Sequence, residues 1–350
     1  MRYYDIKIQP PPKPGAAPGA ATLHYTSYPG GIGGGNSGAA LLGAPLTAFG
    51  IPGGGTSPYD PGALNIEFDT FVFPAATPMG GSTVRIEGIS PALLTNAQQF
   101  AGQLLTLRAG MGPGLPLAKP QQAGLILQGQ VLQAYGNWQA TEINMSFVVY
   151  PAIYTLAAPG NIVLNWTAGT TLKSALQTTL AAAYAGVPIN ISIADTVLSH
   201  DEKHVASTLS GLARLLNDIV PGTQIVANGD TIRVFDSTYQ PAPKPLLFED
   251  MIGQPMWIRQ ATIQAKFAMR ADIQVGDTIE FPQTSTAMPG FVQTARAAIP
   301  SAPNYQSAIK GKFAVQSIRQ IGNLRQPSGD AWCTLVIAAT LNATPIVKPA

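Results

Sequence analysis

Charge is what this 350-residue chain has least of. Lys, Arg, Asp and Glu together make up 11% of it, against about 25% in an ordinary globular domain. The formal net charge is +2, so there is no global electrostatic case for nucleic-acid or acidic-membrane binding. Cysteine is nearly absent. Cys333 is the single one, so no disulfide can form within the chain and the fold does not depend on an oxidising compartment. Histidine is limited to His24, His200 and His204, which leaves little material for imidazole-based catalysis. There is no long apolar run either. Met1-Arg2-Tyr3-Tyr4-Asp5 leads into prolines and does not read as a secretory signal. The uncharged stretch 30–55 is broken by glycines, Pro45 and Pro52, so it gives no continuous apolar helix, and no membrane span is expected. Low surface charge favours association and reads as a subunit that gives much of its surface to neighbours. A monomer with a Ser/Thr/Gln/Asn surface is the other reading.

Glycine and proline are plentiful and crowd the front. Residues 1–62 hold fourteen glycines and ten prolines, and between Gln9 and Ile66 only Lys13 and Asp60 are charged. Such composition resists regular structure. Tyr25, Tyr28, Leu41, Leu42 and Phe49 are more than a solvated linker needs, so 1–62 is expected to be an irregular, extended arm that orders against a partner. A disordered tail remains the bland alternative.

From Leu64 the pattern turns to β. Strands are predicted over 65–73, 82–89, 104–108, 125–133 and 143–149, with a short helix over 91–103 and a turn at Gly136-Asn137. Residues 63–157 are expected to form a small barrel with that helix beside it. The middle differs. A strand over 161–167 precedes a helix capped by Thr171 with the stripe Leu172, Ala175, Leu176, Leu180 and Ala183. A second helix begins near Ser207 or Thr208, carries Leu209, Leu212, Leu216 and Ile219, and stops at Pro221-Gly222. A hairpin through Asn228-Gly229-Asp230 follows. Helices this short are marginal alone and must pack on the hairpin, giving a small α/β domain at 158–238. After a linker with Pro241, Pro243 and Pro245, residues 239–350 are expected to form a second barrel. It would have one long strand over 257–269, a turn at Gly276-Asp277, a proline-dotted loop over 283–309 and closing strands over 313–321 and 331–340. The fold class is therefore β-rich α+β.

No motif announces a chemistry. Gly33-x-Gly35-x-x-Gly38 matches a dinucleotide fingerprint as text but lacks the flanking strand, helix and acidic residue. His200 and His204 would share a helix face, yet Asp201 stands where a zinc peptidase needs glutamate and no third ligand is near, so 200–204 reads as a polar loop. Cys333 sits in an alternating strand and reads as core. Spacing alone leaves a carboxylate pair for glycoside cleavage open, although turn roles suffice for Asp250, Asp272 and Asp277. No lysine- or arginine-rich aromatic patch marks a single-strand binder. The expectation is a non-enzyme with no catalytic, cofactor-binding or metal-ligating residue and no cofactor.

Several phrases carry a resemblance by their order and spacing. They are Arg85-Ile86-Glu87-Gly88, Leu107 to Met111, Leu125 to Gly129 and Gly136-Asn137-Trp138; then Trp166 to Leu172 with the two helices; then Asp250 to Trp257, Val275-Gly276-Asp277 and Val315 to Thr334. Over 64–340 the chain resembles the baseplate hub proteins of contractile-tailed bacteriophages, whereas 1–62 has no counterpart. The resemblance implies a homotrimeric structural protein of the virion tail, assembled in the host cytoplasm. Each subunit would supply two tail-tube-like β-barrels, with a small α/β domain between them. Implied partners are tail-tube or tube-initiator proteins, the central spike and the tape measure protein, with DNA only in transit. Other readings are a tube-initiator or distal-tail ring, a tail-associated peptidoglycan-cleaving enzyme, and a surface-binding β-rich module.

Overall fold

The computed structural model describes residues 2–11, 23–28, 60, 62–77, 81–111, 122–155, 159–229, 231–282, 309 and 311–341. The glycine motif at 33–38, and most of the arm and of the 283–309 loop, lie outside them. Within the described residues one sheet of thirteen strands dominates. Its first half contains β1 (Arg2–Gln9), β2 (Leu23–Thr26), β3 (Ile66–Val72), β4 (Ser82–Glu87), β5 (Leu104–Met111), β6 (Gly124–Gln139) and β7 (Glu142–Pro151). Its second half contains β13 (Lys244–Pro245), β14 (Met256–Arg259), β15 (Thr262–Ala268), β16 (Thr278–Phe281), β17 (Gly311–Asn323) and β18 (Trp332–Thr340). The strand order is β14-β15-β18-β17-β3-β4-β7-β6-β5-β1-β2, with β16 also on β17 and β13 on β16.

This corrects the expectation of two separate closed barrels. β3 pairs with β17, from Ile318↔Val72 to Asn323↔Glu67, so the halves share one sheet, and its path is open. Side chains reinforce the seam. Arg319 donates to both carboxylate oxygens of Asp69, at 2.8 and 2.7 Å, and lies over the Phe71 ring. Thr70 donates to the Gln320 amide oxygen at 3.3 Å.

The arm also needs correction at its start. β1 is the next-to-last strand of the sheet path, hydrogen-bonded to β5 along its whole length and to β2 on its other side. Tyr4, Ile6 and Ile8 alternate into the core and are fully buried, the period of a half-buried strand. Arg2 donates to the carbonyls of Asn323 (2.6 Å), Ser328 (2.6 Å) and Gln326 and stacks over Trp332, tying the front of the chain to the β17–β18 connection.

Two predicted turns are displaced. Gly136-Asn137 lies inside β6, and the chain turns at Ala140-Thr141, where Ala140 has φ 53°. The long strand predicted over 257–269 is a hairpin, β14–β15, that turns at Ala261 with φ 61°. Both turns sit on alanine, which carries no sequence signal for a left-handed backbone. The helix predicted over 91–103 is α1 (Pro91–Thr95) followed by a 3-10 turn over Ala97–Phe100. Lys244–Pro245, expected in the linker, pairs in parallel with β16. A short helix, α2 (Ala152–Thr155), ends the first half.

The insert holds β8 (Ile162–Trp166), α3 (Leu172–Ala183), β9 (Ile189–Ser192), β10 (Glu202–Ala206), α4 (Leu209–Ile219), β11 (Gln224–Asn228) and β12 (Thr231–Phe235). Thr171 and Thr208 cap their helices by accepting from Ser174 N (3.3 Å) and Gly211 N (3.0 Å). Buried leucines of both helices, Leu172, Leu176, Leu180, Leu209, Leu212 and Leu216, form one core with Trp166, Ile225 and Ile232. The predicted hairpin is β11–β12; β9 adds to β12 in parallel, and β10 pairs with β8. Among the described residues no helix is long and apolar enough to cross a membrane.

Candidate functional site

Two surface regions stand out, one on each half of the sheet. On the first half, register places Glu67 opposite Arg85 and Gln139 opposite Glu142. The Arg85 guanidinium lies 3.7 Å from Glu67, 3.5 Å from Glu87 and 4.0 Å from Glu142. Three carboxylates thus share one cation, and all four side chains are more than a third exposed. Neighbouring cations are spent elsewhere: Arg319 on Asp69, and Arg325 on the Ala63 carbonyl. At the end of the same β6–β7 hairpin Trp138 is 61% exposed, its indole N–H donating to Ala140 O at 3.0 Å.

On the second half, β14 ends the sheet. Among the described residues its one partner is β15. Met256, Trp257 and Ile258 run consecutively along it at 57%, 54% and 40% exposure. One side of Trp257 rests against Phe313, with ring centroids 6.0 Å apart. Arg259 ends the strand beside this patch. It is exposed and makes no ion pair among the described residues. Below the strand, Phe73, Gln224, Arg259, Gln316 and Ile337 help line a cleft of about 300 Å³ between the sheet and the insert. An apolar sheet edge, unpaired among the described residues and carrying the uncommitted Arg259, is suited to binding another chain.

The remaining ionisable groups are tied into the fold. Asp250 is 1% exposed and lies 3.6 Å from Arg270, which also makes two hydrogen bonds of 2.7 and 2.9 Å to Asp272. Burial opposes the Arg270 charge, but the Asp272 bonds and the charges of Asp272 and Asp250 outweigh it and raise its pKa. Asp277 accepts from Lys244 at 2.7 Å, from Arg233 at 3.3 Å and from Gln274 N at 2.8 Å, welding the insert to the second half. The Asp residues read as turn formers are therefore ion-pair members.

The histidines fall differently from their expected placement. Residues 202–204 are not loop but the start of β10. Strand alternation sets His200, Glu202 and His204 on one face. His204 and His200 each bond Glu202, at 2.6 and 3.0 Å, and hold its carboxyl below the ordinary range. Asp201 instead accepts from Ala168 N. No group of three or more His, Cys, Asp or Glu among the described residues is arranged to hold a metal ion. His24 pairs with Asp5 at 2.9 Å. Cys333 is buried, its thiol pushed up by burial and bonded to the Asp330 carbonyl. Sequence reasoning missed the Arg85 carboxylates and the β14 patch. The run Met256-Trp257-Ile258 was the available signal for the latter, because an alternating strand does not place three apolar side chains in a row.

No protein-family model matches the chain, and no curated protein sequence does. Solved structures do. One is an Escherichia coli component of the type VI secretion system described as similar to the T4 bacteriophage tail proteins gp27 and gp5. It is 11% identical, over 79% of this chain and 73% of its own, with a TM-score of 0.45. A 43 kDa tail protein of prophage MuSo2 from Shewanella oneidensis is 8% identical over 80% and 98%, with a TM-score of 0.46. A tail protein from Neisseria meningitidis MC58 is 10% identical over 79% and 91%, with a TM-score of 0.44.

Proposed function

We propose that this chain is a structural virion protein: a baseplate hub that, as a homotrimer, joins a hexameric tail tube to a threefold central spike and lines part of the DNA conduit. The seam between β3 and β17 carries the reading. It joins two hairpin-bearing sheet halves in fixed register, which supports a reading in which one chain supplies two tube-subunit-like units held in a set orientation. Three such chains offer six units to a sixfold tube and three equivalent sites to a spike, and closed rotational symmetry accommodates both counts in one ring. The apolar end strand β14 and the 11% charged content suit a protein whose surface is largely taken up by neighbours. Implied partners are the tube or its initiator, the spike and the tape measure protein, with DNA passing through.

A tube-initiator hexamer fits less well, since six chains would present twelve units. The enzyme reading has the weakest support, because His200 and His204 are engaged with Glu202, and Asp250, Asp272 and Asp277 with cations. Native mass spectrometry of the purified chain tests the proposal. The expected species is three times the 36.5 kDa protomer. A hexamer would move the assignment to a tube-type ring, and a zinc-loaded monomer would overturn it.

A further inference from the structure

The cleft between the sheet and the insert gathers polar side chains that the fold does not use. Thr77, Gln224, Arg259, Thr262, Gln316 and Ser317 all line it. None of these six side chains makes a hydrogen bond or an ion pair among the described residues. Ser317 is 9% exposed, and a polar group so buried is ordinarily partnered. Two β-bulges also meet here. The register slips between Trp257 and Arg259 on β14 and between Val315 and Ser317 on β17, which leaves Ile258 and Gln316 without a cross-strand partner in those pairings. Both line the cleft. A bulge re-aims a side chain and gives up a ladder bond to do so, and bulges recur beside active sites. Pairing fixes the remaining walls. Arg259 stands opposite Thr262, and Ser317 opposite Ile337. Ala75 N donates to Ile225 O at 2.6 Å, and Pro74 bridges to Val226, which holds the end of β3 against the insert beside Gln224.

We infer that this cleft binds a small organic carboxylate with an apolar body. Arg259 is the one charged residue among the described lining residues, so the cleft favours an anion over a cation. One guanidinium balances a single negative charge, and its planar fork matches a carboxylate. The amides of Gln224 and Gln316 and the hydroxyls of Thr77, Thr262 and Ser317 are further donors for anionic oxygens. Phe73, Pro74, Ile258 and Ile337 supply the apolar walls for the rest of the ligand. A few converging polar groups in an otherwise apolar cleft of about 300 Å³ is the usual make-up of a small-molecule site. Every lining residue belongs to one chain, so no trimer is needed to form it.

Titration of the full chain with sodium benzoate tests this, with the methyl signals of Ile258 and Ile337 followed by NMR. Both should shift saturably, whereas Ile153, buried in the core of the insert, should not. Benzamide, the neutral isostere, should bind about tenfold more weakly because it forfeits the charge-assisted bonds to Arg259. Arg259 is exposed and unpaired among the described residues, so Arg259→Gln should leave the melting curve unchanged. It should weaken benzoate by about tenfold and leave benzamide as it was, a split that general loss of structure would not give. Gln316→Ala should weaken both ligands by about threefold. Sodium sulfate at the same ionic strength should move neither methyl signal. No saturable shift with benzoate would overturn the site. Equal affinity for benzoate and benzamide, an equal response to sulfate, or an Arg259→Gln variant that binds benzoate like wild type would overturn its assignment to carboxylates.

Discussion

On β6, Gly136-Asn137 precedes Trp138; on β17, Gly322-Asn323 precedes Trp332 across the connection to β18. Both strands are bulged ahead of the Gly-Asn pair, at Val131/Gln133 and at Val315/Ser317. In both, the glycine makes room for a neighbour and does not form a turn. A Cβ on Gly136 would lie 2.3 Å from a Leu94 methyl carbon, and one on Gly322 would lie 2.2 Å from the Phe68 ring. The tryptophans then part company. Trp332 is 3% exposed, donates to Gly110 O at 2.8 Å and meets Phe68 edge-on. Trp138 projects into solvent. One hairpin is spent on closing the molecule and the other is left to face outward, so similar local sequence serves stability in one place and leaves surface available in the other.

Truncating the two tryptophans should separate these roles most widely. Trp332→Ala is expected to cost about 3–5 kcal/mol in denaturant unfolding, the range for emptying a buried aromatic site, while Trp138→Ala should change stability by less than about 0.5 kcal/mol. Equal costs would mean the hairpins are not divided in this way. Adding one methyl group is the next contrast. Gly322→Ala forces the buried ring of Phe68, on the paired strand β3, to move and should cost about 1–3 kcal/mol. Gly136→Ala meets the end of a leucine on the short helix α1, which can shift, so its cost should stay under about 1 kcal/mol.

The turns offer a smaller test. Alanine in the left-handed region is strained by about 1–2 kcal/mol, and glycine there loses part of that gain to its freer unfolded chain. Ala140→Gly and Ala261→Gly should each raise stability by up to about 1 kcal/mol, measured by thermal unfolding. The smallest effect is in the insert. His204 and His200 lower the pKa of Glu202, so the stabilisation from its charged form is present above the unfolded value and is lost as pH falls through the lower folded value. Amide protection in β10 should therefore decline only on acidification below the usual carboxylate range, and Glu202→Gln should abolish that step.

What could be read from the sequence was local. Thr171 and Thr208, each followed by a leucine stripe, announced α3 and α4, and Gly229 announced the β11–β12 turn. These signals lie within one or two turns of chain. The seam had no such signal, since Asp69 and Arg319 are 250 residues apart and nothing near either names the other. β1 was legible in principle through Tyr4, Ile6 and Ile8, but the prolines after Gln9 drew attention to irregularity. The Glu202 cluster was obscured by measuring His200 to His204 with a helical ruler. On a strand the middle residue of the five shares their face, and it is the glutamate. Arg85 with its three carboxylates could be seen only after three strands had been placed in register.

The bonds from Arg2 to the carbonyls of Asn323 and Ser328 impose an order on synthesis. Arg2 finds these partners only after more than three hundred further residues have been made. β3 likewise waits for β17, leaving one long side of an apolar strand uncovered through most of translation. Pairings this distant in sequence form slowly and expose aggregation-prone edges meanwhile. The nascent chain is thus most vulnerable late, and a pause or truncation after β12 would release the insert complete and the great sheet half built.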